Sequence, residues 1–298
     1  FVSLRQAQPD GYGCFIEGGD WQLLSVSPEL FFDWQADGTL TTRPMKGTAP
    51  RGADTDADQD AAQGLLASEK ERAENLMIVD LLRNDLSRIA VTGSVAVPRL
   101  FQLEALPTAW QMTSTVQCRT RPDTGLADVF RALFPCGSVT GAPKAAAMAA
   151  IANLEPWPRG IYCGAVGLIR PGGHATFSVG IRSLWLDRHR GEAECGIGSG
   201  ITLDSTAAGE YAERLAAAVA RPVTMVQELE SPSKARPLSK AAPFRPAGGS
   251  GSRPRTGPPV SPVTNEDTIA ARQVHTVKGS DVASKSGPIV TPADSKTG

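Results

Sequence analysis

The chain lacks the marks of a membrane, secreted or histidine-driven protein. No apolar run approaches the roughly 18 residues that a bilayer span needs, and the N-terminus lacks the basic-then-apolar layout of a secretory signal. A cytoplasmic location with no membrane partner is expected. Cysteine is sparse: Cys14, Cys118, Cys136, Cys163 and Cys195 are far apart and form no CxxC pair. That argues against a disulfide framework or a zinc site and for reduced thiols. Histidine occurs only at His174, His189 and His275, with no HExxH. Neither a Walker A order nor G-x-G-x-x-G is present, so nucleotide binding is disfavoured, and no nucleic-acid partner is expected.

What is present is a soluble globular composition: 298 residues, 41% hydrophobic and 20% charged, enough for one large core or two modest ones. The charge is uneven. Residues 1–220 hold 19 Lys/Arg against 25 Asp/Glu, and residues 221–298 hold 11 against 6. From about Ser231 the text turns to Pro, Gly, Ser, Lys and Arg, which cannot bury enough surface to offset chain entropy. Two regions are therefore expected: a catalytic body over 1–220 and a low-complexity, disordered tail or linker over 221–298. The chain opens on Phe1 and runs at once into strand-like text, Tyr12–Gly18 and Trp21–Ser27, which reads as a fragment lacking its N-terminal part.

One long helix is expected over 60–87, with Leu66, Ala73, Leu76, Met77 and Leu81 as its apolar stripe. Strands are expected at 88–97, 110–118, 161–170, 174–187 and 192–202, and shorter helices at 126–133, 143–154 and 207–220. Many strands without regular helix alternation predict an α+β fold on largely antiparallel sheets.

Glu71 and Glu74 are three apart in the long helix, and Glu210 and Glu213 repeat that spacing in the last one. Two such pairs can converge on a hard divalent cation such as Mg²⁺; they can equally be two solvated acidic faces. FPCGSVTGAPK (134–144) sets free N–H groups and a helix start where a carboxylate or phosphate would fit, though plain turn geometry explains it too. CGIGSGI (195–201) carries the same two readings. Arg182 interrupts apolar strand text and needs an anionic partner. Lys46, between Pro44 and Gly47, is either an exposed loop residue or a desolvated amine able to act as a nucleophile.

Taken in order, SPELF (27–31), RPMKGT (43–48), ERAENLMIVDLLRNDLS (71–87), FPCGSVTGAPK (134–144), GIYCGAVG (160–167), IRS (181–183) and CGIGSGI (195–201) followed by Glu210 resemble the chorismate-binding enzyme family. The resemblance covers about residues 1–220. It implies a two-layer α/β sandwich on antiparallel sheets whose members begin upstream of Phe1. It implies that Glu74 and Glu213 hold Mg²⁺, with Glu71 and Glu210 supporting it directly or through water. Tyr162, Arg182 and the backbone of Gly196 and Gly198 match positions that take the enolpyruvyl carboxylate. Thr48, Thr140 and Gly141 match further substrate contacts, and Glu29 matches the acid that protonates the departing hydroxyl.

Lys46 resembles the branch of aminodeoxychorismate synthases, which carry lysine within P-[IM]-K-G-T; anthranilate synthases usually have alanine there. The resemblance implies amination of chorismate at C4 for 4-aminobenzoate and folate synthesis, with ammonia from a separate glutamine amidotransferase subunit (component II). Two positions depart from the pattern: Gln111, where many members have His, and Ala217, where many have Lys. An anthranilate or isochorismate synthase, or a truncated remnant that binds chorismate without turnover, are the alternatives.

Overall fold

The computed structural model describes residues 1–107, 109–201, 205–208 and 269–278. After a short helix α1 (Val2–Ala7), the chain forms β1 (Tyr12–Gly18), β2 (Trp21–Ser27), β3 (Leu30–Trp34), β4 (Thr39–Arg43) and β5 (Met45–Pro50). Helices α2 (Thr55–Ala67) and α3 (Glu69–Ser87) lead to β6 (Ala96–Ala105) and β7 (Ala109–Arg119). Then come α4 (Leu126–Leu133), α5 (Lys144–Leu154), β8 (Ala165–Ile169), β9 (Ala175–Val179), β10 (Ser183–Asp187), β11 (Glu192–Ile201) and β12 (Ile269–Lys278). One sheet runs β1-β2-β10-β11-β12; the other runs β5-β7-β4-β3-β9-β8, with β6 on β7. Every strand pair is antiparallel, as the strand-rich text predicts.

The main core lies between the second sheet and the helices, where Phe31, Phe32, Leu40, Ile78, Leu82, Leu86, Val116 and Leu133 are fully buried. Phe31, Phe32, Phe130 and Phe177 meet with ring centroids 5.0–6.0 Å apart, mostly tilted or edge-on, the arrangement aromatic quadrupoles favour. A smaller core of Leu24, Val26, Leu184, Ala193 and Cys195 belongs to the first sheet.

The expected helix over 60–87 is two helices. Ser68 breaks it: its backbone is extended, and its hydroxyl accepts from the Glu71 N–H as the N-cap of α3. The buried face of α3 is Asn75, Ile78, Val79, Leu82 and Leu86, whereas Leu66 and Leu76 of the expected stripe are exposed. The strand expected at 88–97 begins only at Ala96; before it Ala90 makes a single bridge to Thr120. The expected strand 161–170 shortens to β8, leaving Tyr162 and Cys163 in the preceding turn.

The strand expected over 174–187 divides into β9 and β10, which lie in different sheets. Gly180 makes the crossing possible, because a Cβ there would fall 2.3 Å from the Ile161 carbonyl. Its N–H donates to Gly164 O and its carbonyl accepts from Cys163 N, at 2.8 and 2.9 Å.

Ile269–Lys278, from the stretch read as a tail, pairs along the whole of β11. This segment has no proline or glycine and is rich in β-branched residues, unlike the text before it. The rest of 221–298, and so the expected boundary at 220, lies outside the described residues. No described helix is long and apolar enough to cross a membrane.

Candidate active site

Glu29 lies in the short link between β2 and β3 and is 4% exposed. Its backbone is fixed on both sides: its N–H donates to Ser27 Oγ, and its carbonyl accepts from Val179 N. Burial pushes its carboxyl up to about 7, against the pull of the Ser138 hydroxyl, the Lys46 amine, the Met45 N–H and the Arg182 guanidinium. Among the described residues its Oε1 is buried with no hydrogen-bond partner. An orphaned oxygen on a carboxyl that holds its proton near neutrality suits a proton donor waiting for a substrate.

Lys46 sits on a β-bulge. Met45 pairs with Thr113 and Thr48 with Gln111, so β5 carries one residue more than β7 over this span. Gly47 absorbs the distortion at φ 91°, a region an L side chain rarely adopts. The bulge turns the lysine toward β11, where a Cβ on Gly200 would fall 3.2 Å from Lys46 Nζ. A Cβ on Gly47 would in turn fall 3.1 Å from Glu71 Oε2, so α3 approaches the bulge closely.

Glu71 and Glu74 are both half-buried, one turn apart on α3. The partners expected for them, Glu210 and Glu213, lie outside the described residues, as does Ala217. Among the described residues no three His, Cys, Asp or Glu side chains gather as a metal cluster. The two carboxylates supply the oxygen-only donors that a hard cation takes.

The 134–144 segment forms a tight 3₁₀ turn over Gly137–Val139, then α5. Gly137 packs on α3, since a Cβ there would fall 2.6 Å from Leu81 Cδ2. Thr140 is buried and donates its hydroxyl to Cys136 O at 3.0 Å, so that hydrogen bond serves the turn itself. Gly141 follows at φ 140°. Lys144 Nζ meets Asp85 Oδ2 at 2.5 Å and donates to Leu133 O, which pins the loop to the end of α3.

Arg182 stands where the chain switches sheets, half-buried, at φ 50°. A non-glycine residue held there stores strain of the kind found at binding sites. Its Nη1 donates to Gln8 Oε1 at 3.1 Å. The Tyr162 ring lies over Gly196, leaving no space for a side chain. Burial raises the Tyr162 phenol well above its ordinary range, so it stays protonated. Arg159 reaches over the Tyr162 ring and is held by Glu155. A groove of about 460 Å³, lined by Thr140, Tyr162, Arg159, Met148 and Trp157 among others, borders this wall.

Glu29, Lys46 and Arg182 thus fall within one electrostatic neighbourhood, with Glu71 against the lysine's bulge and Tyr162 against Gly196. Gly198 follows two residues on in β11, and Thr48 stands at the far side of the bulge, largely exposed. Sequence reasoning missed Gly200, Asn75 and Gln8, and did not single out Ser138 as the partner of Glu29. Ser138, Asn75 and Gly200 lay inside quoted motifs with no role assigned to them; Gln8 has no local signal.

Comparison with known proteins shows the family and the fold. Residues 1–220 match the chorismate binding enzyme family, and the chain belongs to it. It is 43% identical over 213 residues to aminodeoxychorismate synthase component 1 of Salmonella typhimurium, covering 72% of this chain and 46% of that protein. It is 44% identical over 215 residues to the component 1 of Klebsiella aerogenes, covering 72% and 47%. Among solved structures it resembles anthranilate synthase component I from Streptococcus pneumoniae, with TM-score 0.64 and 35% identity over 72% of this chain and 46% of that one. The fold is that of anthranilate synthase component I, and the chain spans about half the length of the curated relatives it matches.

Proposed function

We propose that the chain aminates chorismate at C4 to give 4-amino-4-deoxychorismate. The observation that carries this reading is the juxtaposition of Lys46 with the buried Glu29, whose carboxyl burial pushes up to about 7. In the reaction the nitrogen lone pair of Lys46 forms a C–N bond to the ring while the C4–O bond breaks, and Glu29 gives its proton so that water departs. Ammonia then forms the C4–N bond, the bond to Lys46 breaks, and the proton shed by the incoming nitrogen restores the carboxyl. Arg182 and Tyr162 would hold the enolpyruvyl carboxylate, with the N–H groups of Gly196 and Gly198 beside them. Thr48, Thr140 and Gly141 would complete the substrate contacts.

Glu71 and Glu74, with Glu210 and Glu213, would hold Mg²⁺. That ion would supply positive charge to the ring carboxylate. The relatives' designation as component 1 supports ammonia arriving from a second, glutamine-hydrolysing subunit. The likeness to an anthranilate synthase favours a second reading in which the amino group enters at C2.

Product analysis tests this. With chorismate, ammonium and Mg²⁺, the full chain should yield 4-amino-4-deoxychorismate. Formation of anthranilate would move it to the other branch, and absence of any chorismate consumption would make it a binding protein only.

A further inference from the structure

We propose that Gln111, backed by Asn75, is a positioning residue that holds the Lys46 amine on its target by clamping the β5 bulge. This rests on the reading of Lys46 given above. A bulge removes carbonyls from the strand ladder, and a buried carbonyl left unpaired costs free energy. Here the two carbonyls of the bulge are taken one each by two buried amides. Asn75 Nδ2 donates to Lys46 O at 3.4 Å, and Gln111 Nε2 donates to Gly47 O at 2.9 Å.

Each amide is itself oriented. Asn75 Oδ1 accepts from Ser114 Oγ at 2.6 Å, and Gln111 Oε1 accepts from Thr48 Oγ1 at 3.2 Å. These acceptor bonds fix which end of each amide faces the bulge. Asn75 is 0% and Gln111 6% exposed, so water does not replace either contact at low cost. The clamp therefore ties α3, β5 and β7 together around the Lys46–Gly47 peptide. Rotation of that peptide would swing the lysine away from Gly200 and Glu29. Holding it spares the reaction the entropy of finding the productive orientation.

The donor to Gly47 O is the discriminating element. Gln111→Leu removes both bonds; Gln111→Glu keeps an acceptor for Thr48 but, ionised, has no hydrogen for Gly47 O. Gln111→His, with a neutral ring, can donate at one nitrogen and accept at the other. Two measurements on the full chain test the clamp. Amide hydrogen exchange over residues 45–49 should quicken roughly tenfold in the Leu and Glu variants, the loss expected for one buried hydrogen bond, and stay near wild type in the His variant.

The rate at which chorismate labels Lys46 should fall by a similar factor in the Leu and Glu variants, with KM for chorismate little changed. Wild-type exchange over 45–49 in Gln111→Glu overturns the clamp, whatever Lys46 does chemically. Faster exchange with an unchanged labelling rate overturns the positioning role. A wild-type protein that takes no label at Lys46 removes the nucleophile reading, and the clamp is then judged on exchange alone. Should Gln111→Leu fail to fold, the Glu and His pair decides, and equal exchange in those two counts against the clamp.

Discussion

Tyr162 packs directly against Gly196: a Cβ at that glycine would fall 2.2 Å from Tyr162 Cγ. Glycine is needed at 196 for a steric reason, so Gly196→Ala must displace the ring or the strand. Overpacking of this kind costs about 1–3 kcal/mol. Thermal unfolding should shift down accordingly, and the apparent affinity for chorismate should drop with it. An Ala variant with wild-type melting and binding would separate Tyr162 from the site.

The buried pair Lys144–Asp85 ties the glycine-rich loop to α3. Removing one partner leaves an uncompensated charge, a loss of about 3–5 kcal/mol. Lys144→Met should therefore destabilise the chain strongly. Lys144→Met with Asp85→Leu should recover much of the loss, because the stranded carboxylate goes too. Denaturant unfolding of the two variants measures the difference.

Glu29 predicts a pH dependence whose sign follows from burial. Burial pushes its carboxyl up to about 7, above the ordinary glutamate value near 4.5. The folded chain therefore holds this proton more tightly than the unfolded one. The contribution is full below about 4.5 and is lost as pH rises through about 7, on the order of 3 kcal/mol. Glu29→Gln should flatten stability across that window. It should also lower kcat by roughly 10²–10⁴-fold, the range for a lost general acid. A variant with the wild-type pH slope would place the titration elsewhere.

Much of the fold is legible in the chain because its signals are local. β1, β2 and α4 occupy the spans their patterns predict, since alternation and the amphipathic period need no distant partner. Where the reading failed, the cause was tertiary or a cap. Ser68 splits the long helix through one hydroxyl bond, and the strand carrying Arg182 breaks because Gly180 and Gly164 let two backbones touch. Of the candidate site, Glu29, Lys46 and Arg182 were singled out from ordered motifs, and the structure brings them into one neighbourhood. Asn75 and Gly200 lie in quoted motifs, but their roles were not legible, because they rest on contacts with β5 from α3 and β11, which no spacing along the chain encodes.

Arg182, at its strained corner with Gln8 as one partner, should bind a carboxylate with two prongs. Arg182→Ala should weaken chorismate binding strongly, and Arg182→Lys should restore only part, because a point charge does not reproduce the fork. Equal affinity in all three proteins, read by calorimetry, would make Arg182 a structural residue.

Lys46 is expected to bond covalently to the substrate ring. Intact mass spectrometry after incubating the chain with chorismate and Mg²⁺, without ammonia, tests it most directly. Protein heavier by one dehydrated chorismate is expected, with the added mass on Lys46 and absent from Lys46→Ala. Adding ammonium should discharge it as 4-amino-4-deoxychorismate. A wild-type chain that forms the 4-amino product with no adduct, or a Lys46→Ala variant that forms it at an undiminished rate, would show that amination does not pass through Lys46.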